Sequence, residues 1–210
     1  GDVFIDVGAN IGYYSFLAAC RVGRQGQVHA FEPVPQYFQQ LSNLTALNPG
    51  YRFIFNACAL GEQQGIATVA VTSIPNIGWC TMVPDFMPPE RVAYTVEVPV
   101  RRLDDYLAQQ NLARIALVKI DVEGFEYPVL KGLEGFLAGT KPNERPMLLV
   151  ELCPAAHRLL GHSCDELFAY LGRFGYRGYL AWNPRRPVEV GRMRPGITNV
   201  LFRSSSLQSL

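Results

Sequence analysis

Phe4-Ile5-Asp6-Val7-Gly8-Ala9-Asn10-Ile11-Gly12-Tyr13 reads as a buried strand that ends on an acid, turns through two glycines and enters a helix. Val3, Phe4, Ile5 and Val7 are the near-continuous apolar run of a strand covered on both faces. Beyond Gly12, Tyr13, Phe16, Leu17 and Cys20 recur at the spacing of an amphipathic helix. A strand, glycine turn and helix in this order place a ligand at the carboxyl end of an α/β sheet. Working outward, a second apolar strand from Gln27 to Phe31 ends at Glu32, 20 residues after Gly12. An acid at that separation sits at the tip of the neighbouring strand, where it accepts both hydroxyls of a ribose.

The glycine spacing separates the nucleotides that carry a ribose. A pyrophosphate needs G-x-G-x-x-G, whose second glycine lets the backbone approach the phosphates. Here that position is Asn10, and the third is Tyr13. Asp6 also brings a negative charge to the pocket floor, which repels a dianionic linker and favours a cation. At 4 Å such a pair is worth roughly 1 kcal/mol in water and about 4 kcal/mol at an effective dielectric of 20. S-adenosylmethionine has a ribose, a sulfonium and no phosphate, so it is the better ligand.

Composition sets outer limits. The chain of 210 residues suits one domain, and its formal charge of +1 gives no reason to expect nucleic acid or an anionic membrane as partner. No apolar run approaches the roughly 20 residues of a transmembrane helix. The first residues already form a core strand, so no signal peptide is expected and the chain is expected to begin inside a longer protein. The cysteines (Cys20, Cys58, Cys80, Cys153, Cys164) are scattered without C-x-x-C spacing, as expected of reduced thiols in a cytoplasmic protein.

Strands near 3–7, 27–31 and 51–57 are spaced for βαβ units, with Tyr37, Leu41 and Leu44 on the second helix. Later strands are expected at 115–120, 147–150, 176–182 and 198–202. Ser163 with Glu166 forms a capping-box pattern ahead of Leu167, Tyr170, Leu171 and Phe174. One domain over 1–203 follows, and 204–210 is expected to be a disordered tail. Residues 58–114 break the alternation. Ile66 to Thr72 and Thr95 to Val100 read as a hairpin-like pair, and Ser73 to Tyr94 carries four prolines and Trp79 between them. A loop of that length inside a domain is usually functional or disordered, and 73–94 is expected to be a lid over the acceptor pocket.

A second acidic cluster lies in Val118-Lys119-Ile120-Asp121-Val122-Glu123-Gly124-Phe125-Glu126. A buried strand ends at Asp121, and a helix opens with Pro128 near its first turn. Carboxylates this dense at a strand tip are unfavourable unless something cationic shares the site. Glu126 is expected to serve only the helix dipole, whereas Asp121 and Glu123 are expected to be functional.

With these stretches in hand, the chain resembles the FkbM family of S-adenosylmethionine-dependent methyltransferases, within the class I Rossmann-like fold. The matching segments are FIDVGANIGYYS, AFEP, ALGEQQG, VRRLDDYL, VKIDVEGFEYPVLKG and RPMLLVEL, in family order from Phe4 to about Leu152. The resemblance implies an α/β domain with a seven-stranded, mostly parallel sheet, the last strand antiparallel, helices on both faces and the β-rich lid as an insertion. It implies that Asp6, Gly8, Ala9, Asn10 and Gly12 wrap the methionine moiety and ribose edge. Glu32 would hold the ribose hydroxyls, with Pro33 beside the adenine and Ala59 and Leu60 bordering it, and Asp121 and Glu123 would face the methyl-transfer end. The family methylates hydroxyl oxygens of small molecules, including polyketide-type natural products and sugars. Trp79-Cys80 and the proline cluster in the lid depart from its pattern.

Transfer to oxygen would run by in-line displacement, with enzyme groups orienting the reactants and a carboxylate or histidine removing the acceptor proton. Asp121 and Glu123 are the candidates, and Glu151 is a weaker one. His29, His157 and His162 are expected to be structural. No His/Asp/Glu spacing demands a metal. Two rival functions remain, a nicotinamide-dependent oxidoreductase and a non-catalytic binding domain of the same fold.

Overall fold

The computed structural model describes residues 1–73, 79–112, 114–189 and 196–204. Its leading strand, β1 (Val3–Val7), is buried at every position. Alternate side chains serve different cores. Val3, Ile5 and Val7 join the main cluster, while Phe4 packs with Ala19 and Val28 on the opposite face. A strand buried on both sides needs helices on both, which explains its unbroken apolar run.

Helix α1 (Tyr13–Val22), β2 (Gln27–Phe31), α2 (Pro35–Leu47) and β3 (Phe53–Asn56) complete the first half. The second half holds α3 (Leu103–Gln110), β8 (Ile115–Ile120), α4 (Glu126–Lys131), α5 (Glu134–Gly139) and β9 (Met147–Leu152), numbered to leave room for four small-sheet strands between them. It ends with α6 (Pro154–Leu159), α7 (Cys164–Gly172), β10 (Tyr176–Leu180), β11 (Asn183–Pro187) and β12 (Thr198–Ser204). The large sheet runs β11-β10-β12-β9-β8-β1-β2-β3. Strands from β9 through β3 pair in parallel, and β12 is antiparallel to both its neighbours. The order reverses at β1 and β8, so the crevice lies above their carboxyl ends.

Three features differ from the sequence reading. The sheet has eight strands, because β11 adds an antiparallel edge beside β10. Its sequence, Asn-Pro-Arg-Arg-Pro, has no alternation, and proline and arginine are tolerated only where one side faces solvent. Ser204 is buried at the end of β12 and not in a tail, while 205–210 lie outside the described residues. On α1 the apolar stripe faces outward. Tyr13, Phe16 and Leu17 are exposed, and the helix buries Ser15 and Ala19, whose small side chains let it lie close to the sheet.

The insertion forms a separate sheet from β4 (Ala59–Leu60), β5 (Gly65–Thr72), β6 (Cys80–Thr81) and β7 (Val92–Arg101), ordered β4-β7-β5-β6. The expected hairpin-like pair is β5 against β7, antiparallel. Val69, Val71 and Val98 turn inward onto Val34 and Tyr37 at the start of α2. Within the expected lid, 74–78 lie outside the described residues. No helix among those described is long and apolar enough to cross a membrane.

The closest backbone approach is at Gly8, where φ is +80° and an added Cβ would collide with the Asp121 carbonyl oxygen. Gly8→Ala is expected to lower stability by roughly 2 kcal/mol or more in urea unfolding. Gly139→Ala, whose Cβ meets nothing within 4 Å, is expected to stay within about 0.5 kcal/mol of wild type.

Candidate active site

Strand register brings the first charges together. Asp6 on β1 lies opposite Lys119 on β8, and Asp121 follows one residue past the strand. The Lys119 ammonium lies 2.9 Å from Asp121 Oδ2 and 3.8 Å from Asp6 Oδ1, with the Tyr14 ring 4.4 Å away. Burial opposes the lysine charge, but Asp6 and Asp121 outweigh it and hold its pKa above the ordinary value. Burial pushes the Asp6 carboxyl up, while Lys119 and the Ser15 hydroxyl, which donates to Oδ2 at 2.7 Å, pull it back.

The glycine turn is tied to β2. Gly8 and Ala9 N–H both donate to the Phe31 carbonyl at 3.0 Å. Glu32 then bridges two segments, accepting from Asn10 N–H and Val34 N–H at 2.8 Å each. An ionised carboxylate has about four lone-pair sites, so capacity remains for two hydroxyls. Burial raises the Glu32 pKa to about 7.

Above these groups opens a cleft. Gly8, Asn10, Glu32, Pro33, Ala59, Leu60, Asp121 and Glu123 line it, so most of the sequence-predicted site converges. Asp6, Ala9 and Gly12 are not on its wall. Asp6 is fully buried beneath it, Ala9 packs with Ala30 and Leu41, and Gly12 is pressed against Leu41 and Leu44 of α2. Tyr37, Cys58, Val69, Cys80 and Met82 complete the wall and were not foreseen. The run Ile66 to Thr72 reads as one strand of a hairpin-like pair, and nothing local says that its face meets the cleft. Burial pushes the Cys80 thiol up to about 11, so it lines the wall as a neutral group.

Beside the cleft's Asp121 and Glu123 a third carboxylate joins them. One oxygen each from Asp121, Glu123 and Glu151 lie within 4.8 Å of one another. Glu151 is the penultimate residue of β9 and accepts from Asn199 Nδ2 at 3.1 Å. Burial, then Glu151 and Asp121, push Glu123 up to about 8. Burial and Asp121 raise Glu151 to about 7. Such a trio is relieved by a shared proton or by a hard cation with oxygen ligands. Glu126 stands apart. It is fully buried, its Oε1 accepts from Val122 N–H at 3.3 Å and Gly124 N–H at 2.9 Å, and its Oε2 lies 3.3 Å from His157 Nε2.

The Methyltransferase FkbM domain profile matches residues 6–177. The chain belongs to the FkbM methyltransferase family. It is 35% identical over 156 residues to methyltransferase sdnD of Sordaria araneosa, covering 62% of this chain and 60% of that protein. It is 31% identical over 164 residues to 31-O-demethyl-FK506 methyltransferase FkbM of Streptomyces tacrolimicus, covering 64% and 60%. The chain thus spans about three fifths of the length of the curated relatives it matches. The crystal structure of methyltransferase FkbM from Methylobacillus flagellatus shares the fold, with a TM-score of 0.59 at 20% identity over 96% of this chain and 43% of that one. The family's cofactor is S-adenosylmethionine.

In this FkbM domain Lys119 is the counter-charge that the sequence reading demanded but did not name. Lys119→Met leaves the buried Asp6 and the half-buried Asp121 without it and is expected to lower stability by about 3–5 kcal/mol in chemical unfolding. The raised pKa values of Glu32, Glu123 and Glu151 have a definite sign. Unfolded glutamates titrate near 4.5 and the folded ones near 7 to 8. Between these values the folded state binds more protons, so stability falls as pH rises. The thermal midpoint of the ligand-free protein is expected to drop by roughly 4 °C from pH 5 to pH 8, with Glu123→Gln flattening the slope.

Proposed function

We propose that this chain is the catalytic core of an S-adenosylmethionine-dependent O-methyltransferase acting on a hydroxyl of a small molecule. The observation that carries the reading is one cleft lined by Glu32, Asp121 and Glu123, with Glu151 clustered beside the last two. Asn10 at the second glycine position and the carboxylate trio both oppose a pyrophosphate, which disfavours a nicotinamide dinucleotide. The name of the Streptomyces relative, 31-O-demethyl-FK506 methyltransferase, supports oxygen as the acceptor atom.

When bound, S-adenosylmethionine supplies an electrophilic methyl group on a positively charged sulfur. The protein's part is orientation and proton removal. Glu32 accepts the ribose hydroxyls, and the small sheet closes the apolar wall through Val69, Cys80 and Met82. Asp121, neutralised in part by Lys119, faces the cation without leaving an unpaired buried charge. Glu123 and Glu151, poised near neutrality, take the acceptor proton as its oxygen attacks. A proton shared within the trio satisfies it, so no metal is required in this reading. The described part of the lid segment, 79–94, would border the acceptor, because it carries two of the wall residues, Cys80 and Met82.

Titration calorimetry is expected to show S-adenosylmethionine and S-adenosylhomocysteine binding, with none for NAD. S-adenosylhomocysteine affinity is expected to rise as pH is raised through about 7, and Glu32→Gln should abolish that dependence. Asp121→Asn is expected to weaken S-adenosylhomocysteine binding yet leave it measurable. The same change should cut methyl transfer to a polyketide alcohol by about a hundredfold or more. Undiminished turnover in that variant removes Asp121 from the mechanism, and undiminished turnover in EDTA is expected.

A further inference from the structure

The acid turn is gripped from the small sheet as well as from its own helix. Glu123 has φ +52° and Gly124 φ +102°, so two successive residues occupy the left-handed region. A glutamate held there costs of order 1 kcal/mol, and such strain persists only where the surroundings over-determine it. The grip comes from Thr81 on β6, which is 2% exposed. Its hydroxyl donates to the Glu123 carbonyl at 2.8 Å and accepts from Val83 N–H at 3.0 Å, so its orientation is set. Next to it, Gly124 is pressed between Ala156 and Val83, leaving no room for a Cβ. On the far side Glu126 Oε1 accepts from Val122 and Gly124 N–H.

We propose that Thr81 is a positioning residue for methyl transfer. Its hydroxyl locks the Glu123 backbone in the left-handed conformation that sets the Glu123 carboxylate beside Asp121 and Glu151. This rests on the methyltransferase reading above, and deepens it. Strand β6 and the residue after it have two tasks, because Cys80 and Met82 line the cleft while Thr81 holds the turn. Whatever seats against this wall therefore bears on the group that accepts the proton.

Thr81→Val keeps the shape and removes the hydroxyl, and Thr81→Ser restores it. With a polyketide alcohol as acceptor, Thr81→Val is expected to lower kcat by about ten- to thirtyfold while the KM for S-adenosylmethionine stays within about threefold. Thr81→Ser should recover most of kcat. In NMR spectra of the same proteins the Glu123 carbonyl carbon should shift and the Gly124 amide should exchange faster in Thr81→Val, and both should return in Thr81→Ser. An unchanged kcat, or an unchanged carbonyl with unchanged exchange, overturns the role of Thr81. If Thr81→Val does not fold, the wild-type protein decides. A slowly exchanging Thr81 hydroxyl proton close to the Gly124 amide supports the grip, and its absence overturns it. Failure of the wild type to bind S-adenosylhomocysteine would instead sink the methyltransferase reading, whatever the Glu123 carbonyl does.

Discussion

Asp6 on β1 and Asp121, just past the end of the neighbouring parallel strand β8, share the ammonium of one buried lysine, Lys119. Two carboxylates at the floor of an α/β crevice would repel one another and resist burial. A cation from the strand that bears one of them removes most of that conflict before any ligand arrives. Removing one partner of such a group leaves an uncompensated buried charge, which is why it constrains its surroundings so strongly. Ser15 on α1 completes the set from the opposite direction, and that helix must lie close to reach Asp6. The small buried face of α1 and its outward aromatic stripe follow from this closeness.

The rest of the site is built outward from that group in two arms. One runs through the glycine turn to Glu32, whose carboxylate joins the Asn10 and Val34 N–H groups and so sets where β2 ends relative to α2. The other runs through Asp121 into the acid turn, where Glu126 satisfies backbone donors from within. Glu126 was expected to act only on the helix dipole, yet it is a buried structural ligand of the turn beside His157. The small sheet touches both arms, through Val69 against Val34 and through Thr81 on Glu123. A domain made of two sheets thus has its clustered carboxylates where those sheets meet.

What was legible in the chain was local. The strand Val3–Val7, the glycine turn, the Ser163 capping box and the acid at Glu32 each carry their signal within a few residues, and each stands where its pattern placed it. Glu151 was underrated because its partners, Asp121, Glu123 and Asn199, come from other strands. The wall residues Tyr37, Cys58 and Met82 were invisible for the same reason. Strand β11 was missed because edge pairing needs neither alternation nor apolar side chains. The α1 stripe had the correct period, but periodicity reports that a helix has two faces and not which one the sheet receives.

Family and sheet type were therefore determined by the sequence itself, since burial on both faces, turn chemistry and capping act over neighbouring residues. The tertiary structure alone decided that Lys119 neutralises the pocket floor, that Glu151 joins Asp121 and Glu123, and that Thr81 reaches the acid turn. Those relations depend on strand register and on the docking of two sheets. Charge and hydrogen bonding act across a few ångströms of space, whatever number of residues separates the partners along the chain.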